Sequence, residues 1–498
     1  MTENSMSARR PRLKVRHYNR EVPWLPATSS GAEQAGIEEM LNVYSPFGEI
    51  RTVMTALRPG LACDGYQGSA TPMSLDHIFR RMVGLPGLNT GLDRDIYGGG
   101  KGLNISDSVL SSLGEAIERM LGSFSCITAG TQESQWYGSS RELEQLGRPH
   151  VRPEDYPMFA EQQLQTDGFL CEPWDADSRM YWIQGENLLT GQDWWVPAQL
   201  VHLFYFREQG EARIGVSSSG GLATHLNDER ALSHGLLEVI ERDAANLSWF
   251  TRVLPQKVEL DQPFRSAALN RWMESAQRSG IDVSFYVHRT DVPDVSVVTA
   301  ISVEHGMDEN SYLAGGGVGL NVEEAIRSAI AELIQSERMV RTPEIAPSWR
   351  VVQGFQRLFG INRDATADDF TNFIQVVPYY GYAENQERLD WYLRSDEQPT
   401  VKLSDLPVAE FADDTAEFEG VLEICRKTGL TPIAFDFTPS NFSAVRLRKV
   451  FIPQMVPAFP PNLMMLGHYR YYDLPQRLGL QDDLLEYDEL TAEPLPYP

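Results

Sequence analysis

Two distant segments of this 498-residue sequence combine a helical pattern with a pair of glutamates three positions apart. Glu115 and Glu118 form the first pair, Glu238 and Glu241 form the second, and an arginine follows each pair at once. Residues i and i+3 share one face of an α-helix, so both carboxylates of a pair point the same way. A third segment has Glu332 followed by a glutamine at the same spacing. Acidic faces on three distant helices indicate helices that converge on one charged site.

Glutamates gathered in one cleft repel each other, at about 3 kcal/mol for a pair about 5 Å apart at an effective dielectric constant near 20. Arg119 and Arg242 compensate part of this charge. We expect Mg²⁺ to compensate the remaining negative charge, because it is a hard cation that carboxylates and phosphates usually share. The predicted Mg²⁺ ligands are Glu115, Glu118, Glu238 and Glu241.

A glycine-rich stretch leads into the first and third helices. Residues 100–119 and 317–335 both open on Gly-x-Gly-Leu-Asn, and Glu115 and Glu332 each stand fifteen positions after the first glycine of their stretch. Backbone N–H groups of a glycine-rich loop at a helix N-terminus bind phosphate, and Lys101 adds a positive charge beside them. The pattern indicates a nucleotide with Mg²⁺. It is no Walker A loop, because Asp95 and Gly102 stand where that loop needs glycine and Ser or Thr.

The elements that must position these side chains follow from the apolar residues. An apolar stripe at helical spacing runs through the central segment, formed by Ala231, Leu232, Leu236, Val239 and Ile240. Residues 181–206 and 283–303 are rich in aromatic and β-branched side chains and predict strands. Strand blocks that alternate with helices predict a mixed α/β (α+β) fold over most of the chain.

Composition excludes several classes of partner. The chain has 43 basic and 69 acidic residues, a net charge of −26, which argues against nucleic acid or an anionic membrane as the main partner. Its four cysteines lie far apart without a Cys-x-x-Cys motif, as expected for free thiols in a reducing compartment. No apolar run approaches a membrane span or a secretory signal. We therefore expect a soluble, cytoplasmic protein.

At these residues the chain resembles the YcaO family. The family's first helix carries Ser-x3-Glu-x2-Glu-Arg, which begins here at Ser111. Its central Ser-Asn-Gly-x-Ala and Leu-Glu-x2-Glu-Arg-Asp-Ala match residues 219–223 and 237–244, with Gly220 where the family often has Asn. Its third helix carries Glu-x2-Gln, as here. The likeness runs from about residue 84 to the C-terminus. It implies a YcaO-type fold, with mixed and antiparallel sheets, internal pseudo-repeats and helices that converge on an unusual ATP site.

The resemblance implies an ATP-dependent enzyme that acts on peptide backbone amides. It places the ATP site on Lys101, Ser111, Glu115, Glu118, Arg119, Ser219, Glu229, Glu238, Glu241, Arg242, Glu332 and Gln335. Glu229 fits equally well as a solvated acid in the first turn of its helix. In the azoline-forming branch, a Cys, Ser or Thr side chain of a ribosomal precursor peptide attacks the preceding carbonyl. Phosphorylation then turns the amide oxygen into a leaving group, which yields the thiazolines and oxazolines of peptide natural products, including antibiotics.

The end of the chain favours this branch. Its cyclodehydratases resemble one another in ending on Pro-x-Pro-x-Pro, and residues 494–498 read Pro-Leu-Pro-Tyr-Pro. A proline-rich end taken alone is more often a frayed tail. Because prolines stiffen an extended segment, we expect the carboxylate of Pro498 to reach the active site as a base. The alternatives are a thioamide-forming relative and a non-catalytic ATP-binding scaffold of a peptide-modifying complex.

Partners and domains follow from the same resemblance. It implies a separate leader-binding protein that resembles ubiquitin-activating enzymes, and it allows an FMN-dependent azoline dehydrogenase. Base rates suggest a homodimer within that complex. Residues 1–80 are predicted to form an N-terminal segment of tail, edge strand and loop, and the strand could also dock a partner. Residues 81–498 are predicted to form the catalytic domain, including a proline-rich tail at 476–498.

Overall fold

The computed structural model describes residues 14–17, 20–23, 31–44, 50–55, 65–72, 98–102 and 105–128, and then 134–497 apart from residues 204, 206, 305, 346, 349–351, 354–355, 357–358 and 395–396. The α-helices of this part of the chain are α1 Gly31–Val43, α2 Ile105–Thr128, α3 Ser140–Gln145, α4 Glu161–Leu164, α5 Asp228–Phe250, α6 Ala267–Arg278, α7 Val322–Ile345, α8 Val376–Gly381, α9 Asp390–Leu393, α10 Asp414–Thr428 and α11 Arg470–Arg477. Among these described helices, none combines the length and apolar content that a bilayer span requires.

The β-strands form a hairpin and three larger sheets. They are β1 Lys14–His17, β2 Arg20–Pro23, β3 Ile50–Thr55, β4 Tyr66–Pro72, β5 Gly98–Gly102, β6 Gln135–Gly138, β7 Met180–Asn187, β8 Asp193–Pro197, β9 Leu222–His225, β10 Gln256–Glu259, β11 Ser284–Val287, β12 Ser296–Val303, β13 Tyr312–Gly319, β14 Thr400–Lys402, β15 Ile433–Asp436 and β16 Arg446–Phe451. The sheet orders are β1-β2, β3-β4-β5, β13-β12-β11-β10-β14 and β6-β7-β15-β16-β9, with β8 paired to β7. Apart from the parallel pair β10–β14, these strands pair antiparallel. The predicted mixed α/β fold is confirmed, as are strands in both predicted stretches.

Three strand–helix units organise the fold around the acidic helices. β5 leads into α2, β9 into α5 and β13 into α7. A Leu-Asn pair stands directly before each helix, and the first glutamate follows the asparagine by eleven positions each time (104 to 115, 227 to 238 and 321 to 332). The Asn227 side chain accepts the Arg230 N–H at 2.8 Å, and that of Asn321 accepts the Glu323 N–H at 3.0 Å. These asparagines cap helix N-termini, so the helices begin in matching register.

The prediction that the glycine-rich stretches before α2 and α7 are loops is wrong, because both stretches are strands. β5 pairs along its length with β4, and β13 pairs with β12 from Tyr312 to Gly319. Each strand packs closely on the helix that follows it. A Cβ on Gly100 would overlap the backbone of α2, and a Cβ on Gly317 would overlap that of α7. The glycines therefore serve close helix–strand packing, and the alternation of a strand turns Gly99 and Gly316 the other way.

The N-terminal segment contains more than the predicted tail, edge strand and loop. Helix α1 and strands β3 and β4 pack with α2, and β4 pairs with β5 across residue 80. The Glu39 carboxylate accepts backbone N–H groups of Ser443, Ala444 and Val445 at 2.7, 2.8 and 2.6 Å. A carboxylate bonded to several N–H groups holds its partner loop firmly. The division into residues 1–80 and 81–498 stays a prediction, and one sheet runs across it.

A buried ion pair ties α5 to the C-terminal part of the chain. The Asp243 carboxylate accepts two hydrogen bonds from the Arg470 guanidinium, at 2.9 and 2.6 Å, and one from the Val456 N–H at 2.8 Å. Arg470 also donates to Asp291 at 2.7 Å. The aspartate that follows the second Glu-x-x-Glu-Arg motif therefore positions α5 and does not face the acidic site.

Replacing Asp243 by alanine should destabilise the protein by about 3 kcal/mol, because it leaves part of a buried arginine charge uncompensated. Chemical unfolding measures the loss. Asp177→Ala is the matched control, since Asp177 accepts two hydrogen bonds from Arg141 but both side chains are exposed. That change should cost less than about 1 kcal/mol. Equal losses in the two variants would contradict the structural role of Asp243.

Candidate functional site

The acidic faces of α2, α5 and α7 meet beside β5 and β13. Glu332 on α7 accepts the Gly316 N–H at 2.8 Å, and the Glu241 carboxylate on α5 lies against the same glycine. Gln335 on α7 contacts Gly99 of β5. A side chain at either glycine would therefore displace a site residue. The structure thus places residues of α5 and α7 against Gly99 and Gly316, the two glycines that do not face the helix packed on their own strand.

Lys101 on β5 lies among these carboxylates. Its Nζ pairs with Glu332 Oε1. Burial would lower the pKa of Lys101, but Glu332, Glu115 and Glu241 outweigh burial and raise that pKa. The lysine is therefore charged, and it faces the site because it alternates with Gly100 along the strand.

Helix α2 contributes two carboxylates and an arginine. Glu115 pairs with Arg119 at 3.5 Å and also accepts the Gly99 N–H. Glu118 accepts the Thr224 N–H at 3.2 Å, and Glu238 of α5 accepts the Gly221 N–H at 2.9 Å. The segment around β9 thus joins the carboxylates of α2 and α5.

The charges of this cluster are not balanced by its own cations. Burial, together with the nearby Glu238, raises the pKa of Glu118 well above its ordinary value. Burial, opposed in part by Arg242, raises the pKa of Glu241 to about 7. Burial also raises the pKa of Glu115, against the nearby arginine of α2. Carboxylates that hold protons this strongly indicate a site that lacks positive charge.

These residues fit Mg²⁺ that is shared with a phosphate. Their ligands are carboxylate oxygens, which Mg²⁺ prefers, and a divalent cation would relieve the excess negative charge. Within the described ranges, no three His, Cys, Asp or Glu side chains form a ready-made metal cage. Mg²⁺ usually takes one or two protein carboxylates and completes its shell with phosphate and water. The arrangement therefore suits a cation that binds together with a nucleotide.

Lys449 lies at the site, although the sequence did not predict it as a site residue. It is 4% exposed, and its Nζ donates to the carbonyl oxygens of Ser218 and Gly220 at 2.8 and 2.6 Å. Burial lowers the pKa of Lys449 to about 8, although Glu238 and Glu118 favour its charged form. Lys449 shares one face of β16 with Leu447 and Phe451, and all three side chains are buried. A lysine at an apolar position of an alternating strand was the signal that could have found it.

Three predicted site residues show no described contact with the carboxylate cluster. Ser111 and Ser219 are half-buried. Glu229 lies nine residues before Glu238 on α5, which is about 14 Å along the axis and half a turn away in rotation. The structure therefore does not bring Glu229 to the cluster, and the reading as an acid in the first helical turn fits its position.

Arg242 lines two clefts. The first spans about 460 Å³, the solvent at its open mouth included, and is lined by Ser217, Ser218, Gly220, Arg242 and Lys449 against an apolar wall. The second spans about 400 Å³ on the same measure, and its walls apart from Arg242 are mainly aromatic and aliphatic. The first cleft offers cations beside the acidic cluster, and the second offers an apolar surface.

The proline-rich end of the chain is packed into the fold. Tyr497 is 2% exposed, and its hydroxyl lies 3.0 Å from His288 Nε2. The Pro494 carbonyl accepts the Tyr380 hydroxyl at 2.6 Å, and the Glu493 carbonyl accepts the Trp249 indole N–H at 2.9 Å. Residues 491–497 therefore do not form a frayed tail. Pro498, the predicted base, lies outside the described residues.

Sequence comparison gives one family and one curated relative. A family model described as YcaO cyclodehydratase, ATP- and Mg²⁺-binding, matches residues 99–456, more than half of the chain. An uncharacterised protein of Methanothermobacter thermautotrophicus is 27% identical over 263 residues. The match covers 52% of this chain and 62% of that protein, so it spans less than two thirds of the relative.

Solved structures share the fold. A heterocyclase in complex with substrate and cofactor matches with a TM-score of 0.72 at 20% identity, over 94% of this chain and 57% of that one. YcaO from Methanopyrus kandleri bound with AMPPCP and Mg²⁺ matches with 0.56 at 19% identity, over 84% and 89%. The E. coli microcin synthetase McbBCD complex with pro-MccB17 bound matches with 0.55 at 13% identity, over 90% and 96%. At these identities the likeness establishes a common architecture.

Proposed function

This chain belongs to the YcaO family, and on that premise we propose that it is an ATP-dependent cyclodehydratase. Its substrates are Cys, Ser or Thr residues of a ribosomal precursor peptide, and its products are thiazolines or oxazolines. One observation carries the proposal. The acidic faces of α2, α5 and α7 meet, together with Lys101, at the strand glycines Gly99 and Gly316. The AMPPCP and Mg²⁺ of the Methanopyrus kandleri relative support ATP as co-substrate.

The roles of the site residues follow from charge. Lys101, Arg119, Arg242 and Lys449 supply positive charge for the phosphates, and Glu115, Glu118, Glu238 and Glu241 hold Mg²⁺. Glu332 and Gln335 fix the lysine and the strand backbone around the phosphates. Mg²⁺, when bound, neutralises charge that develops between the β- and γ-phosphates. The protein's own contribution is positioning and electrostatic stabilisation.

The reaction balances with one ATP for each ring. The Cys thiol or the Ser or Thr hydroxyl adds to the preceding carbonyl carbon and loses its proton, which leaves a hemiorthoamide oxygen. That oxygen takes the γ-phosphoryl group and ADP departs. The C–O bond then breaks, phosphate leaves with the amide oxygen, and loss of the amide proton forms the C=N bond. Transfer of the phosphoryl group makes departure favourable for an oxygen that is a poor leaving group in water.

We infer that the enzyme works on the peptide with partner proteins. Two structural neighbours are a heterocyclase in complex with substrate and a synthetase complex, and both support a peptide substrate and an assembly for this chain. A leader-binding protein that resembles ubiquitin-activating enzymes is the proposed partner, and an FMN-dependent azoline dehydrogenase is a further one. A homodimer within this complex is the proposed oligomeric state.

Mass spectrometry of a precursor peptide with ATP and the partner tests the proposal. A cyclodehydratase removes the mass of one water for each ring and releases one phosphate. A gain equal to replacement of oxygen by sulfur would instead indicate thioamide formation. An unchanged peptide mass while ATP still binds would favour the scaffold and overturn the proposal.

Mg²⁺ binding should strengthen as the pH rises through about 7, because the cation competes with the proton held by Glu241. Because the folded protein holds the Glu241 proton more tightly than the unfolded chain does, Glu241 stabilises the fold at pH values below its ordinary pKa. That contribution is lost as the pH rises through about 7. We therefore expect a nucleotide-free melting temperature that falls between about pH 5 and pH 8. Mg²⁺ with an ATP analogue should raise the melting temperature more at about pH 8 than at about pH 6. Glu241→Gln should flatten this dependence, and an unchanged slope would exclude Glu241 as its source.

A further inference from the structure

The second cleft beside Arg242 is apolar except at one end. Phe373, Phe459, Met464 and Leu495 line it, and the described residues of its wall include no charged side chain other than Arg242. Asn246 is the polar neighbour of that arginine, and its amide donates to the Pro457 carbonyl at 2.9 Å. The cleft therefore attracts apolar groups and offers few free polar partners.

This cleft adjoins the first one, which we assign to the nucleotide. Arg242 and Ala458 line both clefts, so a phosphate at Arg242 would lie at the mouth of the apolar one. The C-terminal segment forms part of its wall through Pro494, Leu495 and Tyr497. The apolar cleft is thus bounded by the phosphate-binding arginine on one side and by the chain end on the other.

We propose that this cleft binds the side chain of the residue that precedes the cyclised Cys, Ser or Thr, and that it selects a large apolar side chain there. The inference rests on the proposed function. The carbonyl oxygen that receives the phosphoryl group belongs to this preceding residue, so its side chain is attached one bond from the reacting carbonyl carbon. Once that oxygen is held at a phosphate on Arg242, the side chain must lie within a few ångströms of the arginine.

The chemistry of the two clefts decides which one the peptide side chain occupies. The first cleft has Lys449 and the Ser218–Gly220 backbone beside the carboxylates, so it suits the charged nucleotide. The second gives a large aliphatic or aromatic side chain a surface to bury. A lysine there would lose its hydration and face Arg242, and a glycine would gain nothing.

Binding of short peptides tests this preference without turnover. N-acetyl-leucyl-cysteinamide and its glycyl and lysyl counterparts are titrated against the full chain with Mg²⁺ and a non-hydrolysable ATP analogue, with saturation-transfer NMR as the readout. Burial of a leucine side chain predicts that the leucyl peptide binds about tenfold more tightly than the glycyl peptide. Equal dissociation constants for these two peptides would overturn the proposal.

Two phenylalanine variants locate the effect. Phe373→Asp should remove the advantage of the leucyl peptide and improve binding of the lysyl peptide. Phe411→Asp is the matched control, because Phe411 is 38% exposed and lies outside the cleft, and it should leave the preference unchanged. If Phe373→Asp does not fold, Met464→Glu makes the same test, because it also places a negative charge in the cleft. A leucine preference that survives in a folded cleft variant would also overturn the proposal.

Failure of this inference and failure of the proposed function give different results. Ring formation from all three peptide types at equal efficiency, with equal binding, removes the apolar subsite and keeps the cyclodehydratase. A leucine preference in binding without any loss of water from a complete precursor, ATP and partner removes the proposed function and keeps an apolar peptide-binding cleft.

Discussion

Replacing Glu238 by alanine should lower ATP turnover at least about 100-fold, with the fold intact. Glu238 accepts the Gly221 N–H and lies close to Glu118, so its carboxyl group is one that Mg²⁺ would share with the phosphates. Loss of a metal ligand leaves phosphate charge uncompensated, and about 3 kcal/mol of lost stabilisation corresponds to about 100-fold in rate. Phosphate release in the presence of peptide and partner measures the effect. Glu115→Ala should behave in the same way.

Glu229→Ala is the control for this experiment. It removes a glutamate from the same helix, but that glutamate lies half a turn away in rotation and about 14 Å along the axis from Glu238. Turnover should stay within about twofold of the native rate. Normal hydrolysis in both Glu238→Ala and Glu115→Ala would remove the Mg²⁺ assignment. A loss in Glu229→Ala equal to that of the other variants would show that the effect comes from damage to α5.

The elements that local periodicity specifies were predictable from the sequence. The apolar stripe and the Glu-x-x-Glu spacing are features of single helices, so they identified α2 and α5 and the face that each presents. The Glu-x-x-Gln spacing did the same for α7. The convergence of the helices was inferred from repetition alone, and the roles of their side chains stay predictions.

Features that depend on distant pairing were not predictable. The segment Gly98–Gly102 has no apolar pattern, and only its pairing with β4 makes it a strand. Asp243 and Arg470 are separated by 227 positions, so no local signal links them. Glu39 binds a loop more than 400 residues away for the same reason. Lys449 is an intermediate case, because β16 alternates but a charged inward residue contradicts the usual pattern.

The C-terminal segment shows how a local motif gains meaning from its surroundings. A proline-rich end predicts an extended shape, but the sequence does not say whether that shape is bound. In the structure, Trp249 of α5 donates to the carbonyl of Glu493, so the segment is fixed to the helix that carries Glu238 and Glu241. Tyr497 fixes its end beside Arg242, since both residues line the apolar cleft.

Two glycines added after Pro498 should abolish ring formation and leave ATP-analogue binding within about twofold of the native affinity. Because the hydroxyl of Tyr497 is held at His288 and the Pro494 carbonyl at Tyr380, the segment cannot shift outward to make room. The added residues would displace the carboxylate that we propose as the base. Mass spectrometry of the peptide and calorimetry with the ATP analogue measure the two quantities separately.

The same two glycines placed before Met1 are the control, and they should change neither quantity. Tyr497→Phe distinguishes the role of the Tyr497 hydrogen bond from that of the terminal carboxylate, because it removes the first and keeps the second. A net loss of about 1 kcal/mol in anchoring should slow ring formation only several-fold. If the extended chain forms rings at the native rate, the Pro498 carboxylate has no part in catalysis. If extension also abolishes nucleotide binding, the segment supports the ATP site as a whole. Only loss of ring formation with intact nucleotide binding assigns the chain end to the chemical step.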